Sequence, residues 1–191
     1  MITELNQDLS LSFVANAYGV DTLYSEGIKA FGPNLELLWA TGNLGFGSDS
    51  SCPPAVTMDG SVVSQFGTGG FVVVNGVTGV VQWQNNNVKP RGCFTLSPDM
   101  TTMYSNSDSS GAQSQITTHD VATGLQIDAS AEGSNARTGV GISSAGSDLY
   151  LTRSSGIVKY DANNLSDETF ISEPFASSGK CDGRKKRLIE L

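Results

Sequence analysis

The sequence predicts an all-β chain made of four consecutive repeats, and three observations carry that prediction. A small residue that closes a strand is followed seven positions later by a recurring slot: Ala17 by Tyr24, Thr57 by Ser64, Ser97 by Tyr104 and Ser143 by Tyr150. These slots lie 40, 40 and 46 residues apart. A second marker, Asn34-Leu35, Thr78-Gly79, Thr123-Gly124 and Asn164-Leu165, keeps the same beat at 44, 45 and 41 residues. The composition is that of short strands joined by turns: 22 Gly, 6 Pro and only 16% charged residues, against a usual value of about 25%. A strand-built repeat of about 40–50 residues predicts propeller blades. No segment carries a 3.6-residue apolar stripe, so almost no helix is expected.

Each repeat reads as a four-stranded antiparallel meander, with blades at about 5–47, 50–88, 91–130 and 136–175. The first is expected to place strands at 9–13, 22–24, 27–31 and 37–39. In the second, strands at 53–57, 61–66, 71–75 and 80–84 are separated by Met58-Asp59-Gly60, by Gly67 to Gly70 and by Gly76 to Gly79. Glycine suits such turns because it takes positive φ without steric penalty. The third repeat has strands at 93–97, 101–105, 115–119 and 125–127, with a polar loop from Asn106 to Gln113 and a turn around Ala122 to Gly124. The fourth has strands at 140–143, 148–151, 157–160 and 169–171. Period-two alternation at Phe94 and Leu96, Val140 and Ile142, and Leu149 and Leu151 buries one strand face against a neighbouring blade.

Net charge is −8. Five of the eleven basic residues, Lys180 and Arg184 to Arg187, crowd the end of the chain, so residues 1–179 carry −11. Such a body repels a phosphate backbone, which argues against nucleic acid as a partner. Residues 176–191 are expected to be a basic flexible tail outside the repeats. Residues 1–6 lack the basic and apolar stretches of a secretory signal, and no run is long and apolar enough to span a membrane. The compartment is left open. With three cysteines, Cys52, Cys93 and Cys181, and one histidine, His119, the residues supply no zinc set. Cys52 and Cys93 enter equivalent strands of adjacent repeats, and the expectation is two buried thiols acting as small hydrophobes rather than a disulfide.

The stretch Val73-Val74-Asn75-Gly76-Val77-Thr78-Gly79-Val80-Val81-Gln82-Trp83 resembles the tryptophan-docking repeat of quinoprotein β-propellers (the PQQ-type repeat). Thr78, Gly79 and Trp83 match its pattern, and Val73 and Asn75 replace its alanine and aspartate. Trp39 stands 44 residues before Trp83, one blade away. Asp120-Val121-Ala122-Thr123-Gly124 keeps the acid and the Thr-Gly, with Asp128 where the tryptophan would be. Tyr160-Asp161 keeps the aspartate, with Asn164-Leu165 for Thr-Gly and Phe170 as a nearby aromatic. WD40 repeats fit worse, lacking their Gly-His and Trp-Asp pairs, and the Gly-Gly of kelch repeats occurs once, at Gly69-Gly70. The resemblance implies terminal aromatics packed between blades, here Trp39 and Trp83, both largely buried. It also implies rings of about seven or eight blades. Four blades are therefore expected to form a partial ring rather than a closed four-blade ring, with self-association through the open blade edges as a consequence.

For an oxidoreductase of that superfamily, the resemblance would imply a catalytic aspartate, a calcium ion and often adjacent cysteines over the quinone. No Cys-Cys pair exists here, and Lys29, Lys89, Arg91, Arg137, Arg153 and Lys159 fall in no family motif. Asn106-Ser107-Asp108-Ser109-Ser110-Gly111 opens like a calcium loop, but Thr117 stands where the closing glutamate belongs. His119-Asp120 is poorly arranged for a relay, since adjacent strand residues point to opposite faces. Asn164-Leu165-Ser166 is a glycosylation triplet. No catalytic, cofactor-binding or metal-ligating residue is assigned, and no cofactor is expected. The sequence reading is a non-enzymatic scaffold or binding module that presents loops to a protein or glycan partner. The alternative is a fragment of a quinone-dependent oxidoreductase whose cofactor residues lie outside this chain.

Overall fold

The computed structural model describes residues 4–5, 12–15, 27–42, 44, 52–66, 70–90, 92–108, 113–134, 139–153 and 156–171. Among them every regular element is a strand. The first sheet consists of β1 (Glu4–Leu5), β2 (Ser12–Ala15), β3 (Ile28–Phe31) and β4 (Leu37–Ala40). The second holds β5 (Ala55–Val56), β6 (Ser61–Phe66), β7 (Gly70–Asn75) and β8 (Val81–Asn85). The third holds β9 (Thr95–Leu96), β10 (Thr102–Asp108), β11 (Gln113–Asp120) and β12 (Gln126–Ala129), with the short β13 (Gly133–Ser134) also paired to β11. The fourth holds β14 (Val140–Ile142), β15 (Asp148–Arg153), β16 (Gly156–Asp161) and β17 (Asn164–Phe170). In each sheet the four main strands follow chain order and pair antiparallel.

Local turn chemistry explains why the chain reverses where it does. Between the first and second strands, the amides of Gly60, Met100 and Gly146 donate to the carbonyls of Thr57, Ser97 and Ser143 at 2.8–2.9 Å. All three donors have φ between 59° and 80°, a conformation that costs an L-residue such as Met100 about 1–2 kcal/mol. Between the third and fourth strands, Asn75 and Asp120 each close a turn whose last residue, Gly79 or Gly124, has φ near 72°. The Asn75 carboxamide accepts from the amides of Val77 and Thr78, and the Asp120 carboxylate accepts from the Thr123 amide at 2.7 Å. In the fourth sheet Asp161 pairs with Asn164, so the reversal contains only Ala162 and Asn163. Asn164-Leu165 therefore does not form the Thr-Gly turn that its place in the repeat implies. Gly67, Thr68 and Gly69 lie outside the described residues, as do Tyr24 and residues 172–191, which include the expected basic tail.

Three expectations about strands are corrected. In the first sheet the second strand is β2 rather than 22–24, and Phe13 pairs with Ala30, which lies opposite Trp39 as Val73 lies opposite Trp83, so Phe13 rather than Tyr24 holds the tyrosine slot. Val63 pairs with Val73, Tyr104 with Thr118 and Tyr150 with Lys159, each two residues before Asn75, Asp120 or Asp161. Val63, not Ser64, therefore occupies the tyrosine slot. The first turn of the second sheet is one residue shorter: the Thr57 amide bonds the Ser61 carbonyl, whereas Ser97 bonds Thr102 and Ser143 bonds Asp148. A one-residue slip moves a side chain to the other face. The polar loop expected from Asn106 begins later, because β10 continues to Asp108. Buried hydroxyl pairs hold that extension: Ser105 and Ser107 each lie 2.9 Å from the Thr117 hydroxyl.

Consecutive sheets pack face to face through three apolar clusters. Ile28 and Ala30 meet Val62, Val72 and Val74; Val63, Phe71 and Val73 meet Met103; Tyr104 and Ile116 meet Leu149, Leu151 and Val158. In β6–β7 and β10–β11 both faces are buried from Ser61 to Gln65, Gly70 to Val74, Met103 to Ser107 and Ile116 to His119. In β3, β15 and β16 burial alternates along the strand. The middle sheets are thus covered on two sides, whereas β3, β15 and β16 of the end sheets are fully buried on one face only.

Cys52 and Cys93 form a disulfide with Cα atoms 5.3 Å apart, which corrects the expectation of two thiols. Both residues enter the first strand of their sheets, and face-to-face stacking brings these equivalent points within the 4.4–6.8 Å that a disulfide spans.

Candidate functional site

The turns joining first to second and third to fourth strands lie at one end of the second, third and fourth sheets. The amides of Gly76, Val121 and Ala162 donate to the carbonyls of Gly60, Thr101 and Ser147, tying the two turns together. At this end a cleft of about 530 Å³ opens between the second and third sheets, lined by Thr57, Met58, Asp59, Asp99, Met100 and Asp120 among others. A second cleft, of about 390 Å³, recurs between the third and fourth sheets, lined by Asp99, Tyr104, Gly146 and Asn163 among others.

The carboxylates in the larger cleft are positioned by their own turns. Asp59 accepts from the Thr57 hydroxyl and from the Ser61 amide at 3.1 Å. Asp99 accepts from the Ser97 hydroxyl at 2.5 Å and from the Thr101 amide and hydroxyl at 3.1 and 2.9 Å. Such bonds favour the charged form. The Thr57 hydroxyl, ahead of the Ser61 amide, holds Asp59 below the usual carboxylate range, and the Ser97 hydroxyl, ahead of the Thr101 amide, does the same for Asp99. Both carboxylates are thus anionic at neutral pH. Among the described residues no three His, Cys, Asp or Glu side chains gather closely enough to hold a metal ion. The cleft can therefore offer negative charge, hydroxyl groups and two thioethers. Met58 is 68% exposed, giving the cleft an apolar lip.

The residues weighed in the sequence fall elsewhere. His119 is buried: its Nε2 lies 3.2 Å from the Thr117 hydroxyl and its ring 5.9 Å from that of Phe71. Burial pushes its pKa down, only partly opposed by a backbone hydrogen bond at Gly124. Asp120 instead caps its turn, so the two form no relay. Of the calcium-like run, Asn106 and Ser107 are buried strand residues, and Ser109, Ser110 and Gly111 lie outside the described residues, as do Arg91 and Arg137. Asn164 is exposed at the start of β17. Lys89 is exposed, Lys29 is half-buried, and Lys159 pairs with Asp148 at 3.2 Å.

Arg153 forms a network that the sequence reading missed. Its guanidinium donates to both Glu168 oxygens at 3.0 and 3.2 Å and to the Tyr160 hydroxyl, which itself donates to Glu168 at 2.7 Å. Burial, then the bond to Glu168, raises the Tyr160 pKa. A signal was present: Leu149, Leu151 and Arg153 alternate on one strand face, which puts the arginine on the buried side. The spacing Ser/Thr-x-Asp-x-Ser/Thr recurs at Thr57-Asp59-Ser61 and Ser97-Asp99-Thr101 and is the sequence trace of the two cleft carboxylates.

The tryptophans occupy equivalent outer-strand positions, Trp39 opposite Ala30 and Trp83 opposite Val73. The Trp39 indole N–H donates to the Gly76 carbonyl at 3.0 Å, and that of Trp83 to the Val121 carbonyl at 2.8 Å. Each ring lies over a glycine of the next sheet: a Cβ at Gly79 would sit 2.6 Å from Trp39, and one at Gly124 2.6 Å from Trp83. Both indoles are partly buried, packed against the apolar clusters at the outer rim of the stack. Compared with known proteins, the chain matches no family model and no curated sequence.

Proposed function

We propose that the chain is a non-enzymatic binding module of the quinoprotein-like class: an open arc of four propeller blades that presents the clefts between blades to a macromolecular partner. The carrying observation is the recurrence of a cleft, about 530 and then about 390 Å³, at the same end of two successive blade junctions. A repeated cleft suits an extended ligand that crosses several blades. Support for the arc comes from β3, β15 and β16 of the end sheets, which are fully buried on one face only, while the middle sheets are covered on both. Support for a binding role comes from where the ionisable groups sit. His119 and Arg153 are buried in packing contacts, whereas Asp59 and Asp99 are held anionic at the cleft.

The chemistry of the larger cleft fits a basic segment of a partner protein, with Met58 and Met100 accommodating its aliphatic stems. Titration with a short oligolysine peptide, beside a neutral oligosaccharide, tests this reading. The peptide is expected to bind, more weakly at high salt because the screening length shrinks from about 10 Å at 0.1 M to about 3 Å at 1 M. Joint replacement Asp59→Asn and Asp99→Asn is expected to weaken it several-fold. Peptide binding that survives both replacements unchanged places the site elsewhere; binding of the oligosaccharide alone favours a glycan ligand.

A further inference from the structure

A matching rule governs the three junctions inside the chain. Where the outer strand of one sheet carries tryptophan, the turn of the next sheet carries glycine at the contact point: Trp39 with Gly79, Trp83 with Gly124. At the third junction the slot holds Asp128, opposite Thr118. The turn it faces has no positive-φ residue, and the Asp128 carboxylate accepts from the Leu165 amide at 3.4 Å. An aromatic ring needs a glycine beneath it, and its absence lifts the requirement. Two positions are left over at the ends. The slot of the fourth sheet holds Thr169, opposite Lys159. The corresponding turn of the first sheet holds Leu35, with φ of 64°, where Gly79 and Gly124 stand in the later sheets. These two leftovers obey the same rule toward each other.

The end faces match in the same sense. Tyr150, Ile157 and Lys159 lie on the fourth sheet's face away from the third, and Phe31 lies on the first sheet's face away from the second; all four are half-buried. The equivalent positions Val63, Phe71, Val73 and Val74 in the second sheet are at most 1% exposed. Among the described residues, no apolar cluster joins the fourth sheet to the first. Asp148 holds Lys159 at 3.2 Å, so covering this face buries an ion pair rather than a lone cation.

We propose that a second copy of this chain covers these faces, the fourth sheet of each copy packing on the first sheet of the other, so that two arcs close into one ring of eight sheets. The contact continues an interface that the chain already makes three times, and being heterologous it closes only when both junctions form. The inference rests on the open-arc reading above.

Sedimentation of the full chain tests it. A species of twice the 20.0 kDa chain mass is expected. Tyr150→Lys and Phe31→Glu should each give a folded monomer, with strand content checked by circular dichroism. A head-to-tail contact makes a further demand: an equimolar mixture of the two variants keeps one intact junction and should return to the double mass. A wild-type monomer up to about 100 μM overturns the second copy, and so does a dimer that neither variant dissociates or that the mixture fails to restore. If the wild type is monomeric and both variants melt as it does, the open arc survives and this inference alone falls. If both variants melt lower and their effects are strongly non-additive, the end faces meet within one chain and the open arc falls as well.

Discussion

The junction between the second and third sheets and that between the third and fourth share one geometry and differ in chemistry. In the first, Val63, Phe71, Val73 and Met103 pack together, Trp83 caps the rim over Gly124, and a disulfide joins the inner strands. The second keeps an apolar centre of Tyr104, Ile116, Leu149 and Val158. Its rim bond comes from Asp128, and a partly buried Arg153–Tyr160–Glu168 network within the fourth sheet lies beside it. Gly133 of β13 lies so close to the Arg153 guanidinium that a Cβ would overlap it. The repeat therefore sets how sheets stack, while the rim contact across a junction varies between an indole docked over glycine and a carboxylate accepting from a backbone amide.

The largest effect is expected in the Arg153 network beside the second of these junctions. Glu168→Ala leaves the Arg153 charge buried, with side-chain exposure of 4%, and should cost about 3–5 kcal/mol in urea unfolding. Glu168→Gln, which still accepts from Arg153, should cost less. Equal losses for the two would show that charge, not hydrogen bonding, holds this network.

Reducing the Cys52–Cys93 disulfide, which spans 41 residues, frees the unfolded chain and should cost about 2–4 kcal/mol. A melting temperature unchanged by reductant would mean that stacking alone secures the apolar junction. Trp83→Ala comes next. A fully buried tryptophan costs about 3–5 kcal/mol, and this half-buried one should cost about 2. Gly124→Ala displaces the same ring, so the double variant should lose clearly less than the sum of the singles. Additive losses would break the docking account.

The smallest effect is a pH dependence confined to the junction that holds His119. Its folded pKa is depressed by burial, so the unfolded state takes up the proton first. Stability is then full above the unfolded pKa of about 6.5 and falls as pH drops through that value toward the folded pKa, by at most about 1.4 kcal/mol per pH unit. Melting curves between pH 7.5 and about 5 should show this slope, and His119→Gln should flatten it. A slope that persists in the variant assigns the proton to another group.

Much of the fold was legible because it rests on short-range chemistry. Asn75 and Asp120 cap their turns with their own side chains, and Gly79 and Gly124 supply the conformation that closes them. The strands that flank these turns follow from alternation. The tyrosine slot slipped by one residue in the second sheet because turn length there is set by whether Ser61 or its successor closes the hydrogen bond, and sequence spacing carries no trace of that choice. The clefts were illegible for a related reason: Asp59, Asp99 and Asp120 come from three turns in two sheets and converge only when the sheets stack.

By itself, then, the sequence determined an all-β chain of four meanders, the turns that end at Gly60, Gly79 and Gly124 and the positions of both tryptophans, since each depends on residues within about one repeat of each other. The tertiary structure decided the Cys52–Cys93 pairing, the Arg153 network, the half-burial of the indoles and the uneven covering of middle and end sheets. Those features arise from contacts across strands and sheets, whose side-chain partners stand some 15 to 41 residues apart and meet only after every strand has found its register.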